Sequence, residues 1–205
     1  MSATHLELLV EEASMEAFLG ALLPRLLPEG RTFAVHPFQG KADLLSKLHD
    51  RLCGYASWLP KEWRIVVVVD RDNDDCRRLK RRLESAASAA GLRTRSRAKA
   101  NRWQLANRIA IEELEAWYFG DWAAVCNAYP RVSANIPDRA AFRDPDAIRG
   151  GTWEAFERVL RRHGYHHAGL PKLEVARTIG ARIDRARSRS NSFRLFHDAV
   201  VEALS

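Results

Sequence analysis

The chain has 205 residues, 46% of them apolar and 29% charged, an ordinary mixture for a globular protein of one domain or one domain with an added lobe. Lys and Arg number 33 against 26 Asp and Glu, so the formal charge is +7 and an anionic partner is favoured. The longest aliphatic run, residues 65–69, is far too short for a membrane span, and no basic stretch followed by a long apolar one marks a signal peptide; the expected location is cytoplasmic, with no membrane partner.

Taken in order, residues 5–10 (HLELLV) read as a short strand. Ser14 offers an N-cap for a helix with Phe18, Leu19, Leu22, Leu23 and Leu26 at helical spacing, which Pro24 should kink or end. Residues 31–38 (RTFAVHPF) are a second strand candidate, and Leu44, Leu45, Leu48 and Leu52 mark a second helix ending near Gly54. Residues 64–70 (RIVVVVD) are the strongest strand; their apolar residues do not alternate with polar ones, as expected for a strand covered on both faces. A third amphipathic helix follows from Cys76, Leu79, Leu83, Ala87 and Ala90, with Asp74 or Asp75 at its start and Gly91 past its end. Residues 94–97 and 104–111 are weaker strand candidates.

Beyond residue 112 the pattern turns helical, around Trp117, Trp122, Trp153, residues 172–183 and residues 193–204. Asp121 and Thr152 are placed as caps, and residues 130–151 read as a long loop. The alternation predicts an α/β fold with a mostly parallel central sheet flanked by helices: an α/β core over residues 1–112 and a C-terminal helical extension over 113–205 packed on it.

Sites in parallel sheets form at the carboxyl ends of the strands. Glu11 follows the first strand, Asp70 ends the strongest one and Asp72 lies two residues on, so the three can converge. Crowded carboxylates repel one another unless protonated or neutralised, and their hard oxygens suit Mg²⁺ or Mn²⁺. The run IEELEAW supplies Glu112 and Glu115, which share a helix face and follow another strand candidate; either can complete a second metal position. The competing reading of such acids is a helix cap or a solvated helix start.

Other chemistry finds little support. No P-loop, GxGxxG, HExxH or GxSxG motif occurs, and His163, His166 and His167 read as a surface cluster. Cys53, Cys76 and Cys126 lack the spacing of a zinc ribbon or a disulfide framework. The region 71–108 is rich in Arg and Lys beside the acidic positions, as a phosphodiester substrate would require; Arg78, Arg81, Arg82 and Lys41 are the expected nucleic-acid contacts. Lys172, in GLPKLEVAR, is a candidate to stabilise a phosphate in the transition state.

A Glu after LELLV and a D-x-D after IVVVV resemble the TOPRIM domain of topoisomerases, primases and OLD-type nucleases. The strings LLVEEASMEAFL, FQGKADLL, VVVVDRDNDDC, RIAIEELEAWYFGD, RDPDAI, GTWEAF, GLPKLEVAR and SNSF further resemble the family described as domain of unknown function 4276, over nearly the whole chain. These resemblances imply a TOPRIM-like fold with added helices and a metal set of Glu11, Asp70 and Asp72. They also imply an ABC/SMC-type ATPase partner in a phage-defence or toxin-like system. Where many TOPRIM proteins have Gly after the Glu, this chain has Glu12, which leaves Glu11 and Glu12 as alternative ligands.

The expected function is a Mg²⁺- or Mn²⁺-dependent nuclease, with Glu11, Asp70, Asp72, Glu115 and Lys172 as catalytic residues and Glu11, Asp70, Asp72 and Glu112 as ligands. A homo-oligomer is compatible with it. The alternatives are a non-catalytic module that binds nucleic acid or the ATPase, and a transferase acting on small nucleotides.

Overall fold

The alternating pattern is realised as four parallel strands with helices on both faces in the computed structural model, which describes residues 2–99 and 102–205. In chain order the first half runs β1 (His5–Val10), α1 (Ala13–Leu22), β2 (Thr32–Pro37), α2 (Lys41–Trp58), β3 (Trp63–Asp70), α3 (Cys76–Ala89) and β4 (Leu105–Ala110). The second half is helical: α4 (Leu114–Gly120), α5 (Trp122–Ala128), α6 (Thr152–Arg162), α7 (Lys172–Gly180) and α8 (Asn191–Leu204). Strand order is β2-β1-β3-β4, every neighbouring pair parallel, with Val10 opposite Val68 and Asp70 opposite Ala110.

Residue parity divides the core into two layers. Leu6, Leu8 and Val10 of β1 and Val66 and Val68 of β3 join α1, α4, α7 and α8 on one face. Leu9, Ile65, Val67 and Val69 join Leu44, Leu48 and Leu52 of α2 and Leu79, Leu83 and Ala87 of α3 on the other. This explains the unbroken apolar run of β3: both its faces are covered, and burying each such side chain contributes about 1.5–3 kcal/mol.

Some local expectations change. The turn after α1 is a single 3₁₀ turn, Leu23–Arg25, with Pro24 inside it, because proline cannot continue the α-helical ladder. Glu12 rather than Ser14 is the residue at the start of α1, and the Ser14 hydroxyl donates to the Glu12 carboxylate. Residues 94–97 form no strand; Thr94 makes one isolated bridge to Leu105. The loop 130–151 contains three short 3₁₀ turns: Ile136–Asp138, Ala140–Phe142 and Pro145–Ala147.

Helix α4 is buried on every side, as its apolar residues all round require. Trp117 stacks on Phe196 at 5.2 Å between ring centres and donates its indole N–H to Ser192 Oγ at 2.9 Å. Helices α1 and α7 approach so closely that a β-carbon on Gly180 would lie 2.4 Å from the carbonyl oxygen of Phe18. No described helix is long and apolar enough to cross a membrane.

Candidate functional site

The chain leaves β1 toward β2 through α1, and leaves β3 toward β4 through α3 on the opposite face. The strand order therefore reverses between β1 and β3, and the crevice at their carboxyl ends is where a parallel sheet forms its sites. Glu11 and Asp70 stand on the two sides of that crevice. The backbone N–H of Asp70 donates to Glu11 Oε2 at 3.2 Å.

Asp70 has even parity in β3 and turns toward the layer holding α4, so it is buried. Its Oδ1 is buried and has no hydrogen-bond partner. Burial, and then the charges of Glu11, Glu115, Asp72 and Glu12, push its carboxyl well above the ordinary aspartate value. Burial likewise raises Glu11, with the Asp70 N–H and the Lys41 charge working against it. An unsatisfied buried carboxylate oxygen is costly unless a proton or a cation joins it.

Asp72 adopts a left-handed backbone, φ 48°, and its N–H donates to the carbonyl of Glu112 at 2.8 Å. Its Oδ2 lies 2.6 Å from Lys41 Nζ. Lys41 also donates to Asp74 Oδ2 and to the carbonyl of Arg71, both at 3.0 Å. Burial draws the Lys41 pKa down, but the hydrogen bonds to Asp72 and Asp74 outweigh it and leave it raised.

Glu112, also left-handed at φ 62°, pairs with the Arg71 guanidinium. Glu113 accepts from the N–H of Thr152 at 2.8 Å, from its hydroxyl at 2.8 Å and from the N–H of Trp153 at 2.9 Å, so it closes the start of α6 from another part of the chain. Gly151, not Thr152, occupies the N-cap position. Glu115 lies in the first turn of α4, only 6% exposed. Burial pushes its carboxyl up to about 8; its own backbone N–H and Lys172 lower it, and Glu113 and Glu12 raise it. Lys172 Nζ sits 4.4 Å above the Trp153 ring, a cation–π contact.

The donor set is thus hard carboxylate oxygen around one orphaned atom, which fits Mg²⁺ or Mn²⁺ in kind. In placement it is not assembled: among the described residues, no three His, Cys, Asp or Glu side chains are set to hold a metal ion. The physical reason is that Asp72 is turned to Lys41, and Glu112 to Arg71.

The basic residues divide by helix face. Leu79, Leu83 and Ala87 of α3 pack on the sheet, while Arg77, Arg78, Arg81 and Arg82 are exposed. None of these four arginines takes part in a side-chain ion pair among the described residues. Lys80 belongs to the packed side and is tied to Glu84 at 3.0 Å and to the Asn107 carbonyl at 2.7 Å.

Two features escape a reading of spacing. Tyr118, one turn after Glu115, is buried beside Glu115 and Asp70, and burial with those charges pushes its phenol well up. Glu7, inside β1, is buried and accepts from His5 Nε2 at 3.1 Å, His36 Nε2 at 2.5 Å and the Tyr55 hydroxyl at 2.8 Å. A lone acid within the apolar run HLELLV was the available signal for this second cluster. His163, by contrast, bonds the Val159 carbonyl at 2.7 Å, and the His166 ring packs edge-on against Tyr129, which are structural uses.

The family model described as Domain of unknown function (DUF4276) matches residues 10–200. No curated protein and no solved structure matches the chain.

Proposed function

The chain belongs to the DUF4276 family, and we propose that it is a TOPRIM-like, Mg²⁺- or Mn²⁺-dependent nuclease. The observation that carries the proposal is the pair at the crevice: Glu11 against the Asp70 N–H, with Asp70 Oδ1 buried and unpartnered. A carboxylate is rarely left so in a fold unless a proton or a ligand completes it.

Glu11, Asp70 and Asp72 would hold the cation. A bound cation there would supply Lewis-acid chemistry, lowering the pKa of a water and offsetting charge on phosphate oxygens. The chain's own groups divide the remaining work. Glu115, with its carboxyl raised to about 8, carries a proton at neutral pH and can give it up to the leaving oxygen. Lys172, beside Glu115, offers positive charge to the phosphate. The exposed α3 arginines track the polymer backbone. The resemblance to OLD-type proteins adds an ABC/SMC-type ATPase partner, a cytoplasmic setting and a phage-defence or toxin-like role to this reading.

One observation favours a second reading. Asp72 and Glu112 are already paired with Lys41 and Arg71, as in a module that has kept the acidic rim for binding alone. Incubation with DNA, tRNA and total RNA under Mg²⁺ or Mn²⁺, with and without the neighbouring ATPase, separates the two. Metal-dependent cleavage that disappears in Asp70→Asn supports the nuclease. Unaltered nucleic-acid binding by that variant, with no cleavage by the wild type under any condition, supports the binding module.

A further inference from the structure

We propose that Lys41 is the tethered counter-ion of the acidic rim and competes with the divalent cation for Asp72, so that metal entry releases the lysine. The inference rests on the metal-site reading above and concerns what holds the site closed before metal arrives.

The position of the lysine is unusual on electrostatic grounds. Lys41 is the first residue of the 18-residue helix α2, where the helix dipole is positive and acidic side chains are favoured. Its side chain is only 15% exposed, whereas lysine is normally solvated. Something must hold the ammonium there. Asp72 Oδ2 at 2.6 Å, Asp74 Oδ2 at 3.0 Å and the Arg71 carbonyl at 3.0 Å give each of its three protons an acceptor.

The backbone is built for the contact. Gly40 takes φ 97°, and its N–H donates to the carbonyl of Glu11 at 2.9 Å, which ties the lysine turn to the end of β1. Asp72 accepts a left-handed backbone to bring its carboxylate within reach. One ammonium thus serves Asp72 and Asp74, and Asp70 Oδ1 remains unpartnered. A dication drawn to Asp70 and Glu11 would need Asp72, and the repulsion between it and the ammonium makes the two occupants exclusive. The displaced ammonium, on its long flexible stem, is then free to meet an incoming phosphate.

The test is Mn²⁺ binding, by calorimetry and by the shift in melting temperature, for wild type, Lys41→Met, Lys41→Arg and Asp70→Asn. Removing a competitor strengthens the ligand it opposes, so Lys41→Met should bind Mn²⁺ roughly tenfold more tightly. It should also melt lower than wild type without metal, and recover with Mn²⁺. Lys41→Arg keeps the charge and should bind no more tightly than wild type; Lys41→Gln serves as the neutral variant if Lys41→Met does not fold. Wild-type binding that is unchanged or weakened in the neutral variant would overturn the competition while leaving the metal site intact. No Mn²⁺ binding by wild type and by both neutral variants would instead remove the metal-site reading, and this inference with it.

Discussion

The backbone N–H of Asp70 is bonded to the carboxylate of Glu11, while Asp70's own Oδ1 is buried without a partner. Burial raises both carboxyls; the Glu11 charge adds to the rise at Asp70, whereas the Asp70 N–H works against the rise at Glu11. Asp70→Asn removes one charge at nearly constant volume. The variant is expected to melt at or above the wild-type temperature without metal, and to lose the stabilisation that Mn²⁺ gives the wild type. A melting temperature well below wild type, with the metal response unchanged, would show that Asp70 is held for the fold alone.

The exposed face of α3 makes a quantitative prediction. Each phosphate contact releases condensed counterions, so neutralising Arg78, Arg81 and Arg82 together should reduce the slope of log affinity against log salt by up to about 3. Affinity measured against a single oligonucleotide at four salt concentrations is sufficient. An unchanged slope would leave this face merely solvated.

Glu84 supplies the pH prediction. Burial alone would raise its carboxyl, but hydrogen bonds from Ser96, Thr94, Asn107 and Lys80 dominate and bring it from 4.5 down to about 2. An acid with a depressed folded pKa contributes stability above its unfolded value and loses it as pH falls toward the folded one. The loss should therefore fall between about pH 4.5 and 2. Glu84→Gln should cost on the order of 2 kcal/mol at pH 7 and flatten the acid limb of the stability curve, as read by urea titrations at several pH values.

Glu113 caps α6 with three hydrogen bonds, and α6 carries the Trp153 ring on which Lys172 rests. Glu113→Ala should destabilise the protein by about 1–2 kcal/mol. The loosened α6 should also blunt any effect of Lys172→Met on phosphate-dependent activity, which a double-mutant cycle measures.

Much of this was legible in the residues, and the divide has a physical basis. The run RIVVVVD reads as a strand covered on both faces, and the position of Asp70 at its end follows from that. The start of α3 at Asp75 is likewise readable, since its carboxylate takes the Arg78 N–H at 2.6 Å, a short-range contact. What could not be read are the long-range partners. Lys41 meets Asp72 across the crevice, Glu113 caps a helix some forty residues on, and Glu112 is drawn to Arg71 by a left-handed turn that no periodicity announces. Residues 94–97 misled for the opposite reason: only Thr94 of the four favours a strand, and it makes a single bridge, to Leu105.

The missing methyl of Gly180 has a consequence at the far end of two helices. Helix α1 starts just after Glu11, and α7 starts with Lys172; the pair are clamped where Gly180 meets the Phe18 carbonyl. The two helices pack on one another, and Gly180 lets them approach closely at Phe18. Gly180→Ala would push them apart, at about 1–3 kcal/mol. If the proposed site is right, its effect on activity at the crevice should exceed what that loss of stability explains, because α1 starts just after Glu11 and α7 starts with Lys172.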